Sequence, residues 1–157
     1  RLVIPAAEAL GMKTVGYDPF LDAERAATIS PNLRFTDDLL DLCASCDYIT
    51  IHVPATPKTK GMIGADEIAA MKEGAAFLNF SRDTLVDNDA MRAGLTSGKV
   101  RRYVTDFATP EVMTMEGALV LPHLGASTAE AEENCAEMAV REVMDYLETG
   151  KKSQGVN

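Results

Sequence analysis

The sequence predicts an α/β domain built on a doubly wound parallel sheet, and three observations carry that prediction. Helical and strand periods alternate along the whole chain with short connections, the pattern of repeated βαβ units with helices on both faces. One strand candidate, Ala75 to Phe80, is almost wholly apolar, as in a strand buried on both faces. Asp18, His52, Arg82, Asp106 and His123 each fall at or just after the C-terminal end of a strand candidate. That edge is where such sheets bind ligands.

The elements follow in order. Leu2 to Leu10 reads as a helix stopped at Gly11, and Lys13 to Tyr17 as a short strand closed by Asp18-Pro19. Thr36 to Ala44 is helical, with Thr36 as the expected N-cap before Asp37 and Asp38. Tyr48 to His52 is a strand, Pro54 to Gly64 a loop and Ala65 to Met71 a helix. After Ala75 to Phe80 come a helix over Asn88 to Thr96, a strand over Arg101 to Thr105 and another over Ala118 to Leu121. A long helix runs from about Ser127 to Thr149, capped by Ser127 or Thr128, with Glu130 placed to complete a capping box.

A chain of 157 residues suits one compact domain that buries roughly 70% of its unfolded surface. The whole of 1–157 is expected to form it, with 151–157 starting a linker out. Fifteen basic against 24 acidic side chains give a net charge of −9, which argues against a nucleic-acid partner. The short basic cluster Lys99, Arg101 and Arg102 reads as a solvated strand start. No apolar run approaches the ~20 residues of a membrane span and no signal peptide is visible, so no membrane partner is expected and the cytoplasm is the default setting. Cys43 and Cys46 form a C-x-x-C without a second pair or a histidine at ligand spacing. They and Cys135 read as structural thiols, with no metal expected.

Asp18 ends the strand after the first helix, where a dinucleotide-binding, Rossmann-like fold keeps the acid that accepts from an adenosine ribose. A carboxylate there repels a 2′-phosphate, and Arg25 is the nearest following arginine, so NAD is favoured over NADP. The Gly-x-Gly-x-x-Gly loop and the first strand of that fold are missing from the sequence. Two inner strand edges are then left unpaired. The chain opens on Arg1, and its natural start is expected upstream.

Several stretches together carry a resemblance. They are Ala9-Leu10-Gly11-Met12, His52-Val53-Pro54 with Thr56 and Thr59, Leu78-Asn79-Phe80-Ser81-Arg82, Leu85-Val86-Asp87, Val104-Thr105-Asp106-Phe107 and Leu121-Pro122-His123-Leu124-Gly125-Ala126-Ser127-Thr128. In order and spacing the chain resembles the cofactor domain of the D-isomer-specific 2-hydroxyacid dehydrogenases, over nearly its whole length. Gln154 to Asn157 is similar to the segment leading toward that family's other domain or a regulatory domain.

The resemblance implies hydride transfer between NAD and a D-2-hydroxy acid. The first expectation is 3-phosphoglycerate, in serine biosynthesis. Glyoxylate, hydroxypyruvate or D-lactate chemistry and a non-catalytic NAD-sensing or dimerising module are the alternatives. It also implies a homodimer or homotetramer in the full-length protein, and an inactive isolated fragment. Arg82 would bind the substrate carboxylate, His123 would be the acid–base and Glu111 its partner. Asp18, Val53, Phe80, Ser81, Arg82, Asp106, His123, Leu124, Gly125 and Ala126 would line the cofactor. A guanidinium suits the first role because it stays charged and offers a planar fork of donors. An imidazole titrates near neutral pH and suits the second. Asp83 stands where the family often has glycine, a carboxylate able to offset Arg82 or shift its loop, and Glu116 is the other candidate for the glutamate.

Overall fold

A computed structural model describes residues 1–151, so the expected linker, Lys151 apart, and the tail Gln154 to Asn157 lie outside the described residues. The chain divides into two compact units, Arg1–Pro122 and a second beginning at His123.

The first unit opens with α1 (Val3–Ala9), β1 (Val15–Tyr17), α2 (Ala23–Ala27), β2 (Arg34–Thr36) and α3 (Leu39–Ser45). It continues with β3 (Tyr48–Ile51), α4 (Ala65–Ala70), β4 (Ala75–Asn79), a 3-10 turn at Asp83–Leu85, α5 (Asn88–Ser97), β5 (Val100–Thr105), α6 (Pro110–Met113) and β6 (Ala118–Val120). All strand pairs are parallel. They form two sheets, β1-β2 and β3-β4-β5-β6. Among the described residues β1 bonds to β2 alone and β3 to β4 alone.

The expected elements recur within a residue or two at their ends, except that the helix expected from Thr36 starts at Leu39. β4 is buried at four of its five positions, as its apolar run predicted. α5 starts where the Asp87 side chain accepts from the Ala90 N–H and stops at Gly98, whose φ of 81° is a left-handed conformation that glycine adopts without a Cβ penalty.

The structure also differs from the sequence reading. α2, β2 and α6 were not foreseen. Thr36 does not cap α3, because it is the last residue of β2. The cap is Asp38, which accepts from the Leu40 N–H at 2.8 Å, and Thr36 Oγ1 instead accepts from the Asp38 N–H. α3 packs on α4, α4 on α5 and α5 on β5. They enclose a core of Cys43, Ile49, Ile51, Ile68, Phe77, Met91 and Tyr103. By strand alternation Tyr48, Thr50 and Leu119 point to the opposite face, and all three are exposed.

Within the core, Phe77 and Tyr103 are opposite each other in register, with ring centroids 6.1 Å apart in a tilted pair worth about 1 kcal/mol beyond its buried area. Gly94 lets α5 approach closely: a Cβ there would stand 2.7 Å from Ile68 Cγ2. At the N-terminus, Glu8 on α1 accepts from Thr14 Oγ1 at 2.6 Å and from Ser30 Oγ at 2.8 Å, tying α1 to the approaches of β1 and β2.

The second unit is dominated by α7 (Ala129–Thr149). Its cap is Thr128, whose hydroxyl accepts from the Ala131 N–H. The expected capping box is therefore not formed. With Thr128 as the cap, Glu130 is the second helical residue, one short of the position that reaches back, and it contributes as a first-turn acid.

Candidate functional site

Parallel pairing puts the C-terminal ends of four strands on one edge, because Ile51 is opposite Asn79, Asn79 opposite Thr105 and Thr105 opposite Val120. The residues that leave these strands, His52, Phe80, Asp106 and Leu121, therefore line one rim. Leu121 is held there by its N–H to the Thr105 carbonyl, at 2.8 Å.

The most ordered part of this rim is the turn after β4. Asn79 is fully buried, and its amide Nδ2 donates to the Arg82 carbonyl at 2.8 Å while Oδ1 accepts from the Ser81 N–H at 3.1 Å. The Ser81 hydroxyl donates to the Ile51 carbonyl at 2.7 Å, which fastens the turn to the end of β3. Arg82 is exposed and donates from Nη1 to the Ser81 carbonyl. The carboxylate of Asp83 accepts from the Thr84 N–H and opens the 3-10 turn, so its described bond is local rather than to the neighbouring guanidinium.

Glu111 sits on α6, whose N-cap Thr109 accepts from the Val112 N–H and whose first residue is Pro110. Arg92 on α5 holds this short helix by donating to the Glu111 carbonyl at 3.0 Å and to Thr114 Oγ1 at 3.2 Å. Glu111 lines a cavity of about 470 Å³ together with Lys60, Asp83, Asp87, Tyr103 and Phe107. Glu116 instead lies just ahead of β6, at the opposite edge of the sheet from His52 and Phe80. Arg82 does not line that cavity, although its neighbour Asp83 does.

Asp18 leaves the C-terminal end of β1 in the other sheet, is exposed and accepts from the Phe20 N–H at 2.9 Å. An exposed carboxylate beside an apolar ring, Phe20 being 89% exposed, has the chemistry for ribose hydroxyls next to an adenine. Asp106 follows β5 and is half-buried, and Val53 follows β3 with similar burial. These residues fit the two ends of a dinucleotide. The backbone amides for its pyrophosphate are not among them, since no Gly-x-Gly-x-x-Gly occurs in the chain.

His123, Leu124, Gly125 and Ala126 open the second unit, and all four are exposed. They form a turn in which the Leu124 carbonyl accepts from the Ser127 N–H. Thus Arg82 and Glu111 belong to one unit and His123 to the other.

His52 accepts or donates at Nε2 to Thr50 Oγ1, 3.0 Å away. Partial burial pulls its pKa down. Cys43 is fully buried, and burial first, then nearby carboxylate charge, pushes its thiol up to about 11. Cys46 is raised too, chiefly by burial. Such thiols are poor nucleophiles, in keeping with a structural C-x-x-C. No group of three or more metal-ligating side chains occurs among the described residues, and no described helix is long and apolar enough to cross a membrane.

The residues that sequence reasoning missed are Asn79, present in the quoted motif but without a role, and Arg92. The buried amide at the end of an apolar strand was the available signal for the first. Nothing in the spacing marked the second.

Comparison with known proteins identifies the family. The family model for the D-isomer specific 2-hydroxyacid dehydrogenase NAD binding domain matches residues 1–125. D-3-phosphoglycerate dehydrogenase of Methanocaldococcus jannaschii is 36% identical over 151 residues, 92% of this chain and 28% of that protein. The Homo sapiens D-3-phosphoglycerate dehydrogenase is 33% identical over 162 residues, 99% of this chain and 30% of that protein. The chain thus spans less than a third of the length of these curated relatives. Among solved structures, D-2-hydroxyisocaproate dehydrogenase superposes with a TM-score of 0.84 at 25% identity, covering 97% of this chain and 51% of that one. A glyoxylate reductase from Paecilomyes thermophila gives 0.84 at 24%, covering 95% and 46%, a likeness of fold.

Proposed function

Because the chain belongs to the D-isomer specific 2-hydroxyacid dehydrogenase family and carries its NAD-binding domain, we propose that it is the cofactor half of an NAD-dependent enzyme oxidising a D-2-hydroxy acid. D-3-phosphoglycerate is the first substrate to try. The observation that carries this reading is the Arg82 turn, pinned at the sheet edge by the buried Asn79 amide and by Ser81 on β3.

NAD, when bound, supplies the hydride acceptor. Asp18 would accept from the adenosine ribose, while Val53, Phe80, Ser81, Asp106 and the turn from Leu124 to Ala126 would hold the remainder of the cofactor. Arg82 binds the substrate carboxylate with two parallel N–H donors, which orients the hydroxyl carbon and polarises the developing carbonyl oxygen. His123 takes the hydroxyl proton, and Glu111 stabilises the imidazolium that results. The assembled enzyme is a cytoplasmic homodimer or homotetramer, and the isolated chain does not turn over.

The test is NADH formation from D-3-phosphoglycerate by the full-length protein, with Arg82→Ala and His123→Ala as controls. Loss of the acid–base is expected to cost about 10²–10⁴-fold in kcat, and loss of the guanidinium to raise KM about a hundredfold. Turnover of glyoxylate, hydroxypyruvate or D-lactate in place of D-3-phosphoglycerate would move the assignment within the family. NAD binding with no turnover of any of them would make the chain part of a sensing or dimerising module.

A further inference from the structure

We propose that Asn79 is a positioning residue for Arg82: its side-chain amide, held in the core by the Tyr103 hydroxyl, sets the turn from which the guanidinium reaches the substrate. This role depends on Arg82 binding the substrate carboxylate, as proposed for the enzyme. Asn79 is fully buried, yet it lies at the end of β4, three residues before an exposed arginine. Its Nδ2 donates to the Arg82 carbonyl at 2.8 Å and lies 3.4 Å from Tyr103 Oη, while Oδ1 accepts from the Ser81 N–H at 3.1 Å. Every polar atom of this amide is therefore used, and two of the three bonds close the turn between residues 79 and 82.

The donor and acceptor requirements exclude the simple replacements. An aspartate keeps the acceptor for Ser81 but offers the Arg82 carbonyl a second acceptor, and it buries a charge. A leucine strands both backbone groups. Two of the amide's three contacts lie within the turn and the third reaches Tyr103. Tyr103 extends the arrangement inward. It is buried, stacks on Phe77 and reaches the amide with its hydroxyl, so the amide plane is held against rotation by the adjacent strand β5. The guanidinium of Arg82 meanwhile spends one donor on the Ser81 carbonyl, so its own root is fixed by the same turn. A shift of the turn of about 1 Å would misalign a bidentate carboxylate contact without altering the fold.

The experiment is a double-mutant cycle in the full-length protein, reading KM for D-3-phosphoglycerate, kcat, the Kd of NADH by fluorescence, and Tm. Asn79→Asp is expected to raise KM about tenfold, from the loss of a buried donor, with a smaller change in the Kd of NADH because Ser81 on the same turn faces the cofactor. In an Arg82→Ala background the same substitution is expected to leave KM where Arg82→Ala alone puts it, since a residue that acts through Arg82 has nothing left to position. Tyr103→Phe, which removes one hydroxyl and keeps the ring, is expected to raise KM by a smaller factor of about two to five. It serves as the probe if Asn79→Asp lowers Tm enough to deplete the fold. An equal KM penalty with and without Arg82 would overturn the proposal and leave a structural role. So would an unchanged KM in Asn79→Asp or, if that variant does not fold, in Tyr103→Phe, while Arg82→Ala shows its full loss. If Arg82→Ala itself leaves KM unchanged, the reading of Arg82 falls, and the positioning role falls with it.

Discussion

Replacing Gly94 by alanine tests whether α5 packs as closely on the sheet and on α4 as the structure requires. The added Cβ would stand 2.7 Å from Ile68 Cγ2 and 3.2 Å from Val100 Cγ2. Both neighbours are buried, at 4% and 1% exposure, and both methyls sit on β-branched side chains with little rotamer freedom. Overpacking a tight core costs about 1–3 kcal/mol. Alanine in a helix interior gains about 1 kcal/mol over glycine. The clash outweighs the propensity, leaving a net loss of about 1 kcal/mol, or roughly 2–4 °C in Tm for a chain of this size. Urea unfolding, compared at unchanged m, measures it. Ile68→Leu moves the offending methyl off Cβ, so the double variant Gly94→Ala/Ile68→Leu should recover about 1 kcal/mol relative to the sum of the single changes. A Tm that rises in Gly94→Ala would refute the reasoning, because helix propensity would then exceed the steric cost and the helix would stand farther from Ile68.

Three further outcomes are expected. Hydrogen bonds from Thr14 and Ser30 hold the Glu8 carboxyl below its ordinary value. Its stabilisation is thus complete above about pH 4.5 and fades as pH falls through the lowered value; acid titration of Tm should show wild type and Glu8→Gln converging in that window, and parallel curves would remove the assignment. At pH 8 an aromatic disulfide reagent should label exposed Cys135 quickly and leave Cys43 untouched, since burial holds that thiol near 11; rapid labelling of Cys43 in the folded protein would contradict its packing. Arg92→Met should loosen α6 by about 1–2 kcal/mol through the lost bonds to Glu111 and Thr114, seen as faster amide exchange at Val112 and Met113, and protection equal to wild type would count against the anchor.

What the sequence disclosed and what it withheld divide along the length of elements. β4, α5 and α7 were legible because four or more apolar positions kept one period and a cap or a glycine marked an end. β2 is three residues, Arg34, Phe35 and Thr36. No period can be read over that length, and the strand exists because Gly16 and its neighbours in β1 pair with it. α6 is a single turn begun by a proline, and its stability comes from Arg92 across the fold rather than from its own residues. The cap of α3 was misplaced for the same reason, since Thr36 was already committed to the unforeseen strand. The strand-end positions of Asp18 in one sheet and of His52, Arg82 and Asp106 in the other were legible from the alternation of elements. The role of Asn79 was not, because only its burial and the carbonyl it meets distinguish it from an ordinary strand-end amide.

Helix α3 links the two ends of the candidate site. α3 packs against β1 and β2 on one side and against α4 on the other, and Arg34 of β2 reaches it through an ion pair to Asp41 at 2.7 Å. These seven residues are thus one strut between Asp18 and the Arg82 turn. Shortening a side chain such as Leu42 on that strut would let the separation of the two anchor points drift, altering the reach available to a long ligand while leaving each anchor's own chemistry intact.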